Sequence, residues 1–419
     1  MFIYVVKSND NLEKISEIFN ISVSEIRRIN ALGENQILVV GQSLLINKNS
    51  INYKIKENDT IQKITKLFGV SINSLLKSNP KLSPPYSLNV NEILIIRSPI
   101  TKRTMNINGY CYPFSQKEDY LLPEQKYDFI TLFSYSVLED ATLSKVNDNS
   151  FLNNIKNKNV KVFFTVSNTK PNGGFTTVIA SKILSSKSLR QKIINNIINV
   201  FNEKNIYDGV NIDFEYINKE NADNLVSLIK ELKMRLEKNY LLSVCLAPKT
   251  RVDQEGTLYE GHDYKQLGKY ADYVILMTYE WGYTFGPAMP VAPLPNVRDV
   301  LIFAVTQIPS SKIFMGIPTY GYDFIEPFKK GRAAEAFPID KAVDLAIKVK
   351  SSILFDDQLK TPYFIYYKEQ QKHIVHFEDV RSLYYKVNLA FEFKVTGISL
   401  WVMSNPFIQM WNVFDEMIE

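Results

Sequence analysis

The chain has 419 residues, 45% hydrophobic and 22% charged, with 25 Phe and 24 Tyr; this builds a sizeable core and excludes both a disordered segment and a single small binding module. The net charge of +5 is uneven, because residues 1–104 hold 14 basic and 8 acidic side chains (+6) and the other 315 carry −1. The excess suggests an anionic surface for the N-terminal quarter to meet, yet it is too sparse for a nucleic-acid binder.

The first elements form a repeat. Residues 4–30 superpose on 53–79, pairing Tyr4 with Tyr53, Asp10 with Asp59, Ile15 with Ile64, Phe19 with Phe68 and Asn30 with Asn79. After a one-residue slip, VGQSLLI (40–46) matches VNEILII (90–96). Each unit opens with a short alternating strand, and Asn9-Asp10 or Asn58-Asp59 supplies a turn and a helix cap. Leu12, Ile15 and Phe19 follow at helical spacing, and a second short helix ends at Asn30 or Asn79 before a closing strand. The pattern predicts a strand–helix–helix–strand unit, present twice at 1–48 and 50–98. It resembles the lysin motif through Tyr-x-Val at 4–6, Tyr-x-Ile at 53–55, the two Asn-Asp turns, Asn30, Asn79 and Gly41-Gln42; Asn91-Glu92 stands at the last place in the second copy. The resemblance implies binding of N-acetylglucosamine-containing glycans such as peptidoglycan or chitin, with a spacer or docking role as the alternative.

A polar linker at 99–104 separates the repeats from 105–419, where apolar strands alternate with amphipathic helices. Strands are expected at 107–113, 129–135, 160–167, 209–216, 241–248, 273–280, 312–320 and 396–403, with helices at 188–204 and 220–239 among those between. Eight such strands over about 310 residues predict an α/β fold, a closed (β/α)8 TIM barrel. A Tyr-rich surplus at about 322–377 predicts a small α+β insertion between strands 7 and 8. Cys111 and Cys245 sit in apolar runs and read as buried thiols. His373 and His376 have metal-like spacing without a third ligand nearby, so no metal is expected.

The fourth barrel strand reads DGVNIDFEY from Asp208 to Tyr216. Alternation along a strand turns Asn211, Asp213 and Glu215 toward the barrel axis and Val210, Ile212 and Phe214 toward the helices. Two carboxylates on an inner face, near the C-terminal strand ends and without a Lys or Arg on the strand, point to acid–base chemistry.

Here the sequence resembles glycoside hydrolase family 18, whose signature Asp-x-x-Asp-x-Asp-x-Glu matches at Asp208, Asp213 and Glu215, with Asn211 at the middle Asp. Gly109-Tyr110, Met277-Thr278-Tyr279-Glu280, Gly316-Ile317-Pro318-x-Tyr320-Gly321 and Trp401 support it at other strand ends. The resemblance implies a cofactor-free, substrate-assisted retaining mechanism. Glu215 would be the acid and base, Asp213 the partner of the substrate acetamido N–H and Tyr279 that of its oxygen. Tyr110, Asn211, Met277, Glu280, Trp281, Tyr320 and Trp401 would contact substrate, with Trp401 flooring the sugar subsite. Asn211 puts the usual shuttling of Asp213 between two partners in doubt. Glu280 stands where many members have Asp, and Ser167-Asn168 with Gly173-Gly174 replaces a compact Ser-x-Gly-Gly.

Two lysin motifs ahead of such a barrel resemble the spore cortex-lytic N-acetylglucosaminidases of endospore-forming bacteria. That implies a peptidoglycan N-acetylglucosaminidase acting on spore cortex or its fragments during germination, with a chitinase or a non-catalytic wall lectin as alternatives. The opening MFIYVVKSNDNLEKI has no basic segment and no cleavage site, and no stretch approaches the ~20 apolar residues of a membrane helix. The expectation is a monomer made in the mother cell without a signal peptide and placed in spore coat or cortex, or alternatively in cell wall, with neither nucleic acid nor membrane as a partner.

Overall fold

The computed structural model describes residues 1–82, 84, 86–115, 126–156, 158–170, 173–403 and 407–419. The first repeat runs β1 (Phe2–Val5), α1 (Leu12–Phe19), α2 (Val23–Ile29) and β2 (Ser43–Ile46); the second runs β3 (Ser50–Lys54), α3 (Ile61–Phe68), α4 (Ile72–Ser78) and β4 (Ile93–Arg97). Each turn is fixed by a tyrosine hydroxyl reaching an aspartate, Tyr4 to Asp10 at 2.6 Å and Tyr53 to Asp59 at 2.8 Å. The same carboxylates accept the backbone N–H of Lys7 and Lys56. With the aspartates so engaged, the helix caps fall one residue later than expected, on Asn11 and Thr60. Asn30 and Asn79 each bond both the carbonyl four residues back and the closing strand, through Leu45 or Ile95, which explains why asparagine recurs there. The repeats share one apolar core, in which Phe68 packs against Phe2, Phe19 and Tyr53 with ring centroids 5.2–6.2 Å apart.

The larger part is a closed barrel of eight parallel strands. Seven arrive in order: β5 (Asn106–Cys111), β6 (Phe129–Ser136), β7 (Lys161–Ser167), β8 (Gly209–Asp213), β9 (Leu241–Leu246), β10 (Tyr273–Leu276) and β11 (Ile313–Pro318). The chain then leaves for an antiparallel sheet of β12 (Tyr320–Glu326), β13 (Glu335–Pro338), β14 (Leu354–Asp356), β15 (Thr361–Lys368) and β16 (Gln371–His376), and β17 (Gly397–Trp401) closes the barrel between β11 and β5. His373 and His376 are three residues apart on β16, which turns them to opposite faces, and His373 bonds Asp323 at 2.9 Å.

Around the barrel lie α5 (Asn149–Ile155), α6 (Thr177–Ser185), α7 (Lys187–Glu203), α8 (Ala222–Arg235), α9 (Tyr264–Tyr270), α10 (Leu294–Gln307), α12 (Val380–Glu392) and α13 (Ile408–Met417), with α11 (Ile339–Lys348) inside the insertion. On α8 the buried residues are Leu225, Leu228, Ile229 and Leu232, an i, i+3, i+4, i+7 stripe that faces the strands.

The barrel interior departs from the branched apolar filling common to such barrels. Its lower end is plugged by Phe129, Phe163, Tyr273 and Phe314, with neighbouring ring centroids 5.4–5.8 Å apart. Above them runs a buried polar layer: Thr131 donates to Asn108, Asn108 to Ser399, Ser243 to Asn211 and Asn211 to Thr165. A polar floor therefore lies beneath the C-terminal strand ends.

The first repeat is bolted to the barrel. Ser43 donates to Asp379 (2.9 Å), Arg381 to the Gly41 carbonyl (3.1 Å), Gln409 to Asn30 (2.7 Å), Asn412 to the Ile29 carbonyl (2.7 Å) and the Ile353 N–H to the Val40 carbonyl (2.8 Å). Gly41-Gln42 thus faces the insertion and α12. Gly41 has φ +85°, and a Cβ there would lie 1.7 Å from the Ile353 carbonyl oxygen. Replacing Gly41 by Ala is expected to cost about 1–3 kcal/mol and to raise amide exchange in residues 39–46; unchanged protection in that segment would contradict the docking contact.

Candidate active site

Parallel registry brings the candidate catalytic groups together. Ser167 on β7 pairs with Asp213 on β8, and Asn211 pairs with Ser243 on β9, so Cys245, two residues on, stands beside Asp213. β8 leaves the ladder at Asp213, earlier than the strand expected from sequence, and Glu215 stands on the segment that follows. Its backbone is clamped there by Asn168, which accepts its N–H and donates to its carbonyl, both at 2.9 Å. β10 likewise ends at Leu276, freeing Met277 to Trp281 to turn across the barrel mouth. The Tyr279 ring passes over Gly316, where a Cβ would come within 2.7 Å of it and 2.6 Å of the Leu276 carbonyl oxygen, so the glycine of the seventh strand makes room for the tyrosine.

These groups line a cavity of about 510 Å³. Of the residues singled out in the sequence, it is lined by Tyr110, Asp213, Glu215, Met277, Tyr279, Glu280, Trp281 and Trp401. Trp401 is held edge-on by Tyr110, Phe133 and Tyr112 at 4.9–6.1 Å. Two of the expected residues stand elsewhere. Asn211 is fully buried in the polar floor beneath the cavity, and Tyr320 stands behind Glu280, whose carboxylate accepts from both Tyr320 and Tyr322.

Among the described residues, the lining includes three carboxylates and no Lys, Arg or His. Burial pushes Asp213 up to about 7. Glu215 is held well above its ordinary range, first by burial and then by the charges of Asp213 and Glu280. Burial also raises Glu280, which its two tyrosines partly offset. The arrangement suits a carboxylic acid kept protonated at neutral pH to deliver a proton.

Residues 106–405 match the family described as Glycosyl hydrolases family 18, and residues 4–47 and 53–97 match the LysM domain. The chain belongs to glycosyl hydrolase family 18. Over 99% of its length it is 34% identical to the cortical fragment-lytic enzyme of Bacillus anthracis, covering 97% of that protein. The solved structures of spore cortex-lytic enzyme SleL from Bacillus megaterium QM B1551 and from Bacillus cereus superpose with TM-scores of 0.82 and 0.85 at 33% and 31% identity, each covering 100% of this chain and 98% of the other.

Several lining residues of this family 18 hydrolase were not legible as such in its sequence. Phe175, Pro248, Leu258 and Tyr259 come from the connections after β7 and β9, where no periodicity marks a side chain as facing the cleft. Tyr216 follows the signature directly, and Cys245, readable as a buried thiol, stands in the cavity wall. Asn168 carried a signal only as a departure from the family pattern.

The raised carboxylates imply a cost in stability. A native Asp213 titrating at about 7 against an ordinary 3.8 keeps a proton that the unfolded chain has lost, so its contribution to stability falls as pH rises between those values. Asp213→Asn is therefore expected to raise the thermal midpoint at pH 7.5 by about 2 °C or more and to leave it unchanged near pH 3.5. Thermal unfolding at both pH values checks this; an equal shift at both would count against it.

Proposed function

We propose that this protein hydrolyses the β-1,4 bond on the reducing side of N-acetylglucosamine in spore-cortex peptidoglycan or its fragments, with retention of configuration. The observation that carries the reading is the Asp213–Glu215 pair at the barrel mouth, Asp213 buried and Glu215 half-buried, with no compensating cation among the described lining residues. Glu215, protonated at neutral pH, gives its proton to the glycosidic oxygen as the C1–O bond breaks. The substrate's acetamido oxygen bonds C1 to form an oxazolinium ion. Asp213 accepts the acetamido N–H and balances the developing positive charge, and Tyr279 orients the acetamido oxygen. Water then attacks C1 and loses a proton to Glu215. Trp401 offers its free face to the sugar ring, and Glu280, fixed by Tyr320 and Tyr322, is placed to accept from a sugar hydroxyl.

The cortical substrate is supported by the names of the relatives matched from end to end, and a place in the spore follows from the same relatives. The two LysM modules and the +6 of residues 1–104 suit an anionic glycan polymer. No helix among the described residues is long and apolar enough to cross a membrane. A chitin-like polymer is the second reading, favoured by a described lining that is aromatic and carboxylate and holds no Lys or Arg to select for an anionic sugar.

Glu215→Gln is expected to lower kcat on cortex fragments by roughly 10²–10⁴-fold while glycan binding persists. Mass spectrometry of the wild-type digest should show N-acetylglucosamine at the new reducing ends. Equal release by wild type and variant would refute the assignment, and products from chitin oligomers alone would move it to chitinase.

A further inference from the structure

β8 and β9 run as a regular parallel ladder up to Ile212 and Val244. At its start the Leu241 N–H donates to the Asp208 carbonyl at 2.9 Å, and bonds of this kind recur every second residue along both strands. Three such steps further on, the Ala247 N–H would meet the Phe214 carbonyl. Instead the imidazole of His262 stands between them. The Ala247 N–H donates to Nδ1 at 2.9 Å, and Nε2 lies 2.9 Å from the Phe214 carbonyl oxygen. A backbone N–H only donates and a carbonyl only accepts, so Nδ1 is bare and the ring proton sits on Nε2.

The ring is held from several sides. His262 is 1% exposed, its own N–H donates to the Tyr259 carbonyl at 3.1 Å, and its carbonyl accepts from Lys249 Nζ at 3.2 Å. Two residues on, Tyr264 at the start of α9 donates to the Ala247 carbonyl at 2.5 Å, so one stretch of chain grips both polar groups of that residue's backbone. Gly261 permits the approach, since a Cβ there would lie 2.3 Å from that of Ile217. Burial, against the pull of the Phe214 carbonyl, pushes the imidazole down to about 4, which keeps it neutral and able to accept from Ala247 near neutral pH.

We propose that His262 is a positioning residue for Glu215: its imidazole replaces one backbone bond between β8 and β9, and by holding the Phe214 carbonyl it sets where the neighbouring Glu215 carboxyl stands over the cleft. The inserted ring keeps the two backbones further apart than a direct bond would, at the point where β8 leaves the ladder. On the other side Asn168 bonds the N–H and the carbonyl of Glu215. The Phe214–Glu215 segment is thus suspended between two uncharged side chains, one from the connection after β7 and one from that after β9. His262 is not among the residues lining the cavity, so it acts through the backbone alone. A general acid displaced by as little as ~1 Å can lose about 10²-fold in rate, which is what such a tie guards against.

The catalytic consequence rests on the acid role proposed above for Glu215; the inserted imidazole does not. Nitrogen-15 spectra of the full-length protein with labelled histidine, the His262 signals assigned by their loss in His262→Gln, read the tautomer without substrate. A protonated Nε2 and a bare Nδ1 are expected near neutral pH; the opposite tautomer or an imidazolium would overturn the proposal. A glutamine amide nitrogen can take the place of Nε2 and keep the donor to Phe214, whereas the shorter asparagine reaches only the place of Nδ1. His262→Asn is therefore expected to lower kcat on cortex fragments by roughly 10–100-fold with KM changed less than about threefold, and His262→Gln to lower kcat by no more than about threefold. Equal losses of kcat in the two variants, in step with equal falls in thermal midpoint, would make His262 a packing residue and overturn the proposal. If the tautomer is as expected but Glu215→Gln still cleaves at the wild-type rate, the inserted imidazole stands and the catalytic reading fails.

Discussion

The structure is organised by one electrostatic constraint: Asp213, buried, and Glu215, half-buried, stand two residues apart at the barrel mouth, and among the described residues no positive charge in the cavity lining relieves them. Burial and mutual repulsion favour one proton shared by the pair near neutrality, the state a proton donor next to a charge stabiliser requires. The surroundings maintain that state. Asn168 fixes the backbone of Glu215, and two tyrosines engage Glu280.

The layers below serve the same end. An ordinary barrel core would place branched alkyl groups directly under the carboxylates, whereas here Asn108, Thr131, Thr165, Asn211, Ser243 and Ser399 form a hydrogen-bonded floor over an aromatic plug. The floor is satisfied internally, so it anchors Cys245 without presenting a charge to Asp213. Asn211 belongs to this floor. In place of an acid it contributes an amide that bonds Thr165, Ser243 and Cys245.

The N-terminal modules are joined to this machinery more rigidly than a linker sequence suggests. A shared aromatic core ties the two repeats to each other, and a set of buried polar contacts ties the first to α12, α13 and the insertion. Residues of the first repeat that resemble a glycan-binding pattern, Gly41 and Gln42, are consumed in that contact. The corresponding Asn91 and Glu92 of the second repeat are exposed, which leaves its loop open. The LysM modules and the cleft are thus held in a set relation.

By itself the sequence determined the repeat, the eight alternating strands, the insertion and the carboxylate pair, because each is written in local periodicity or in residue types that are costly to bury without a purpose. Local pattern could not say where strands end. β8 stops at Asp213 and β10 at Leu276 because side chains such as Asn168 and the crossing of Tyr279 over Gly316 compete with the ladder there. Nor could it distinguish Asn211 in the floor from Cys245 in the wall, since both point inward and only the register between β8 and β9 sets which side chains lie beside each other. Chain order carried the identity of the candidate groups; the partners of Tyr110 and Asn211 come from residues 32 or more away, and closure of the barrel decided them.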